Sequence, residues 1–276
     1  MHAVAVRERS AIAGAGEEQL LTFMRSAAKP LQALPLARAR EELDDAQLAI
    51  ACASHLADAD QLAAVRSLLA AAPASEDELE CGPAGEPPER IRHNCSGKHA
   101  GMLAVCRARG WETQGYRLAA HPLQQALLAE VAGAAEVMPS SISTAVDGCG
   151  VLTFALPLAS MAHAFSRLAQ LEGGKRVTAA MRGRPELIRG VGAADTDLMR
   201  ALPDWIAKGG AEGLLCAAGP DGTGVALKSQ DGNGRALKPA LAAMLARLGI
   251  TLDESFTHVP LHNSRGELVG ELAACG

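Results

Sequence analysis

With 276 residues, 49% of them apolar, the chain is long enough for one large core or two closely packed lobes, and one domain over 1–276 is expected. A formal net charge of −5, with no stretch where Lys and Arg alternate with aromatics, argues against a surface for polyanions, so nucleic acid is not an expected partner. No uncharged apolar run nears the ~20 residues that span a bilayer, and no charged start leads into an apolar stretch as in a secretory signal. The seven scattered cysteines do not form a disulfide framework, so a cytoplasmic protein with reduced thiols and no membrane partner is expected.

Aromatics make up only 3% of the residues, and alanine and leucine fill most apolar positions, which favours helices packed through small side chains. Val4 and Val6 alternate with smaller neighbours before a charged turn and "AIAGAG", the pattern of an opening β-hairpin. From Lys29 to about Ala72 apolar residues recur at helical spacing. A long loop rich in Pro, Gly and charge follows, "PASEDELECGPAGEPPERIRHNCSGKHAG", and long loops inside compact domains are often functional. Helices are predicted at 98–108, 122–132 and 155–170, with a strand ending at Asp147. "AEGLLCAAGPDGTGVALKSQDGNGR" reads as two short strands around a turn, a last helix runs from about Ala236 to Leu248, and the tail "HNSRGELVGELA" reads as a closing strand. Strands at both ends and helices between predict an α+β fold, its antiparallel sheet built from N- and C-terminal segments against a helical cluster.

"RSAAKP" at 25–30 sets Ser26 and Lys29 one helical turn apart, on one face. Pro30 fits only the first turn of a helix, so the helix starts near Ser26 and the hydroxyl lies beside free backbone N–H groups. Lys29 can deprotonate that hydroxyl only if it is itself neutral, as burial or a second cation would make it. The plainer alternative is a helix cap followed by a solvated lysine. In "HNCSGKHAG", Cys95, Lys98 and His99 fall within one turn and helix start, while Cys149 lies in "DGCG". Two thiolates and a nitrogen donor can hold zinc with a fourth position left for water; the alternative is two ordinary buried cysteines. Ser54 in "ASH" and Lys228 in "VALKSQDG" can face the same cleft, or simply end a helix and a strand. His258 and His262 are separated by Pro260 and lack a following glutamate, so a zincin pair is not supported.

Taken together, "RSAAKPLQALPL", "ASH", "NCSGKHAGMLA", "HPLQQ", "DGCGVLTFALPLASMAHAF", "KGGAEG" and "VALKSQDGNGRA" occur in the order found in class 3, rhizobial-type L-asparaginases, which the chain resembles over almost its whole length. The resemblance implies a serine β-lactamase-like fold, a homodimer, and hydrolysis of asparagine to aspartate and ammonia. It implies two Ser–Lys pairs, Ser26 with Lys29 and Ser54 with Lys228. It implies a zinc site of Cys95, Lys98 and Cys149, and places Arg25, His99 and Asp147 among residues holding the amino-acid amide. A member that binds an amino acid and zinc without turnover is the alternative. A penicillin-recognising hydrolase fits less well, because "KSQDG" is not Lys-Thr-Gly and no Ser-Asp-Asn is present.

Overall fold

The computed structural model describes residues 1–275. Its first hairpin joins β1 (His2–Arg7) to β2 (Ser10–Ala15). Period-two alternation in β1 sends Val4 and Val6 into one hydrophobic cluster and Ala3 and Ala5 into another, so this strand is buried on both faces. The strand lies second in a five-stranded antiparallel sheet of order β2-β1-β8-β7-β6, with β6 (Ile206–Gly210), β7 (Leu214–Ala218) and β8 (Gly224–Lys228). The expected hairpin around Pro220, Asp221 and Gly222 joins β7 to β8. Strand β6 carries little strand signal in sequence, because its Lys-Gly-Gly end has the composition of a loop.

Within the apolar 29–72 stretch lie α1 (Lys29–Gln32), α2 (Leu34–Ala39), α3 (Asp45–Cys52) and α4 (Ala59–Ala71). Reciprocal capping boxes open the last two: Asp44 with Gln47, and Asp58 with Gln61. Then come α5 (Ser96–Arg109) and α6 (Pro122–Ala135), the latter started by Pro122 in its first turn and by His121, whose side chain accepts the Leu123 N–H. The helix expected at 155–170 begins later, as α7 (Leu158–Arg167), because residues before it form strand β5 (Leu152–Pro157). That strand lies between β3 (Leu21–Phe23) and β4 (Ser143–Val146) in a second antiparallel sheet. The chain continues through α8 (Gly174–Gly183), α9 (Pro185–Ile188), α10 (Ala194–Ala201), α11 (Leu237–Arg247) and α12 (Glu254–Thr257).

The layers follow from the two faces of β1. Helix α11 covers the alanine face through Leu241 and Leu245, while α7 and the helical cluster cover the valine face. The fold is therefore α+β with antiparallel sheets. One expectation is corrected: the tail does not close the large sheet. Strand β10 (Leu268–Leu272) pairs with β9 (Val259–His262) in a separate hairpin, and Leu268 and Val269 stay exposed on it. The edge next to the N-terminal hairpin is left as β2, and β8 fills the position beside β1 that pairing of the termini would need.

Candidate active site

Strand β3 runs straight into the Ser26 turn. The Met24 N–H donates to the Phe154 carbonyl, and the Arg25 N–H to Thr153 Oγ1 at 3.0 Å, so β5 fixes the backbone before the serine. Arg25 then adopts φ +49, a left-handed conformation uncommon for a side chain of this size, and a 3-10 turn over Arg25–Ala28 leads into α1. The helix thus starts where Pro30 predicts. The Arg25 guanidinium donates to Asp147 at 2.5 Å and to Glu212 at 2.7 Å. Burial opposes its charge, but the two carboxylates outweigh this and raise its pKa.

Ser26 and Ser54 line one cavity of about 670 Å3, together with Asn94, Arg189, Asp195 and Lys208. Lys29 is wholly buried beneath it. Its Nζ donates to the Ala53 carbonyl at 2.5 Å and to Ser54 Oγ at 3.0 Å. Desolvation lowers the Lys29 pKa, and the Lys98 charge adds to this, while the thiols of Cys95 and Cys149 oppose it. The serine that Lys29 touches is therefore Ser54, with Ser26 one turn away on the cavity wall.

The sheet lysine in this cavity is Lys208, not Lys228. Register explains the difference: Lys208 lies in one cross-strand row with Cys216 and Ala226, on the face of the large sheet turned to the helical cluster. Lys228 lies on the same face, two residues beyond Ala226, where its Nζ donates to the Ser229 carbonyl at 2.6 Å. It does not line the cavity. Lys208 is fully buried and donates to its neighbour's carbonyl at Gly209, 2.7 Å, and to Asp195 at 3.4 Å. Burial lowers its pKa to about 8; Asp195 opposes the shift, and the positive charges of Lys29 and Arg189 add to it. A lysine in mid-strand after Trp-Ile-Ala was the available signal for Lys208, and the glycines after it masked the strand.

Close backbone approach holds these pieces in register. A Cβ at Gly210 would lie 2.7 Å from the Met24 carbonyl, so only glycine lets edge strand β6 meet the Ser26 turn. At Gly97 a Cβ would lie 2.1 Å from the Ile50 carbonyl, where the start of α5 meets the end of α3. His55 Nε2 lies 2.8 Å from Ser96 Oγ, and that hydroxyl donates to the Ile91 carbonyl, which leaves the imidazole as donor. Burial pushes His55 down to about 4, so it is neutral in this contact.

Cys95, Lys98 and Cys149 converge below the cavity. Lys98 Nζ donates to Cys149 Sγ at 3.0 Å, and the Cys95 N–H is held by His93 Nδ1 at 3.0 Å. Interaction with Cys149 and the charges of Lys29 and Lys98 push Cys95 well down, while Cys95 and burial push Cys149 up. Burial opposes charge on Lys98, but the neighbouring thiolate more than offsets it and raises its pKa. Among the described residues no three His, Cys, Asp or Glu side chains gather as a metal-binding group; the donor set here is two sulfurs and one amine.

His99 does not join the site. It is fully buried behind the thiols, with Nδ1 2.7 Å from the Tyr116 hydroxyl and Nε2 without a partner, and burial pushes its pKa well down. Asp147 reaches the site only through Arg25, which it ties to the loop carrying Cys149.

No helix among the described residues is long and apolar enough to cross a membrane. No curated protein matches the chain in sequence. The family model described as L-asparaginase II matches residues 1–274, from the first hairpin to the end of the tail. With that coverage, the chain belongs to the L-asparaginase II family, consistent with the class 3 type and with amidohydrolysis of asparagine.

Proposed function

We propose that the protein hydrolyses L-asparagine to L-aspartate and ammonia through an acyl-enzyme on Ser26, with Lys29, Ser54 and Lys208 moving the protons. The observation that carries this reading is one cavity lined by Ser26, Ser54 and Lys208, with the amine of Lys29 buried against Ser54 at 3.0 Å and burial working against charge on both amines.

In the first step Ser26 Oγ bonds to the side-chain amide carbon and the carbonyl π pair moves onto oxygen. The hydroxyl proton passes to the neutral amine of Lys29. As the tetrahedral centre collapses, the C–N bond breaks and the proton reaches the leaving nitrogen by way of Ser54 Oγ, already 3.0 Å from Lys29 Nζ. Ammonia departs and leaves an ester on Ser26. Water then attacks that ester and gives its proton to a neutral amine. Ser26 takes the proton back as aspartate is released. Lys208 supports the sequence as a second base on the cavity wall, because burial and the charge of Lys29 both work against its own protonation.

The thiol–amine cluster fits zinc by its chemistry, because soft sulfur donors with one nitrogen suit this ion and one sulfur is already favoured as thiolate. Cys95, Cys149 and Lys98 would hold it. When bound, zinc would supply a fixed positive charge beside the substrate. The need for reduced thiols at Cys95 and Cys149 supports a cytoplasmic setting. The self-paired hairpin of β9 and β10, with Leu268 and Val269 exposed, supports a homodimer. A two-faced antiparallel sheet with the nucleophile at the start of a buried helix supports the serine β-lactamase-like reading of the fold.

The direct test is ammonia release from asparagine by the native chain and by Ser26→Ala. The expected result is turnover by the first and a loss of about 10^3-fold or more in the second. Aspartate binding without any ammonia release would show an amino-acid binder instead.

A further inference from the structure

Four cationic side chains line the cavity: Arg189, Lys208, Arg235 and Lys238. Three have carboxylate partners. Lys208 faces Asp195, Arg235 pairs with Asp231 at 3.4 Å, and Lys238 pairs with Asp197 at 2.6 Å. Arg189 forms no ion pair among the described residues; its one side-chain hydrogen bond runs from Nη1 to the Ser54 carbonyl at 3.2 Å. Arg25, the arginine beside the nucleophile, is by contrast held by two carboxylates. A guanidinium has five N–H donors in a planar fork, so most of the binding capacity of Arg189 is unused.

The segment carrying it is firmly placed. The Ser54 N–H donates to the Ile188 carbonyl at 2.7 Å while Arg189 donates back to the Ser54 carbonyl, so the two segments exchange hydrogen bonds on either side of the serine. The Arg189 carbonyl accepts from Gln61 Nε2 at 3.0 Å, and the next N–H, that of Gly190, donates to Thr196 Oγ1 at 3.1 Å. A planar cation thus sits on the carbonyl of the same serine whose hydroxyl meets Lys29, on a backbone tied down on both sides.

We propose that Arg189 is the carboxylate anchor of the cavity: it receives the α-carboxylate of the substrate in a bidentate pair and so selects amides of amino acids over simple amides. This rests on the amidohydrolase reading above and adds the group that orients the substrate. The chemistry follows from geometry. Arginine–carboxylate pairs are directional and strong when partly desolvated, and an anchor registered to Ser54 presents a side-chain amide to the same wall as Ser26. A bound carboxylate would also offset the Arg189 charge that bears on Lys208.

The test compares asparagine with 3-aminopropanamide, the same amide without the α-carboxylate, in the native chain, Arg189→Gln and Arg189→Lys. The ratio of kcat/KM for asparagine to that for 3-aminopropanamide should fall about 30-fold or more in Arg189→Gln, mainly through KM, with partial recovery in Arg189→Lys. An unchanged ratio overturns the anchor, even if both rates fall together, because that is how a merely structural residue behaves. Calorimetric titration with aspartate separates this proposal from the reading it rests on. Native protein that binds aspartate, with affinity lost about tenfold or more in Arg189→Gln, supports the anchor even if no ammonia is released. Native protein that binds no aspartate overturns it.

Discussion

Lys29 Nζ and Ser54 Oγ are 3.0 Å apart in a fully buried contact, although 24 residues of chain separate the amine from the Ala53 carbonyl it also touches. The contact exists because Ser54 leaves α3 in extended backbone and is held there by the Ile188 carbonyl, while Lys29 enters from the first turn of α1. An amine so placed has lost its water and gained two acceptors that do not require it to be charged.

Lys29→Met should therefore abolish turnover without unfolding the protein. A loss of about 10^2–10^4-fold in kcat is expected from removing a general base. The thermal midpoint should stay or rise, because an apolar side chain of similar length replaces a buried amine whose charged form is disfavoured. Loss of the folded state in Lys29→Met would contradict this account.

Lys208 gives the pH dependence. Its pKa falls from 10.5 to about 8 on folding, so between these values the unfolded chain binds a proton that the native one lacks, and stability rises with pH across that window. Below about 8 the penalty for a charged amine is present in full. If neutral Lys208 serves the reaction, kcat/KM should climb as pH passes 8. Asp195→Asn removes the carboxylate that raises the Lys208 pKa and should shift that limb to lower pH. Rate profiles from pH 6 to 10, together with melting curves of the native chain and Lys208→Met, check both statements; a limb that stays in place in Asp195→Asn contradicts the assignment.

The sulfur–amine cluster should bind one equivalent of zinc. Elemental analysis of protein refolded with zinc should give close to one ion per chain, and Cys149→Ala or Lys98→Met should weaken it by about tenfold or more in competition with a chelator. Equal retention by both variants would move the metal elsewhere.

Gly97→Ala tests the packing that presents Cys95 and Lys98. Its methyl would lie 2.1 Å from the Ile50 carbonyl, backbone that cannot step aside. A destabilisation of about 1–3 kcal/mol is expected, read as a melting point lower by a few degrees. Gly133, with nothing near a new methyl, is the control: Gly133→Ala should be neutral or slightly stabilising.

Much of this was legible in sequence for local reasons. Pro30 marked a helix start, apolar spacing marked the helices between Lys29 and Ala72, and the Pro-Asp-Gly turn announced a hairpin. Cys95, Lys98 and Cys149 converge as the motifs implied. What failed depended on partners far along the chain. In sequence Gly209 and Gly210, the second required by its close approach to the Met24 carbonyl, give the end of β6 the look of a loop and so mask Lys208, whereas Lys228 ends a legible strand. His99 shares its motif with Lys98, but helical rotation turns it onto Tyr116 instead of the cavity. Arg189 carried no motif at all; only the count of charges around the assembled cavity singles it out.

The missing side chain at Gly210 has one further result. Because the Met24 carbonyl rests directly on strand β6, the spacing between the Ser26 turn and Lys208, two residues before that glycine, is set by main chain against main chain. Rotamer exchange in either side chain leaves that frame unchanged. Evolution or engineering can thus vary the walls of this crevice widely while its gauge stays constant, and a larger residue at this one place would alter the reaction distance without touching any reacting atom.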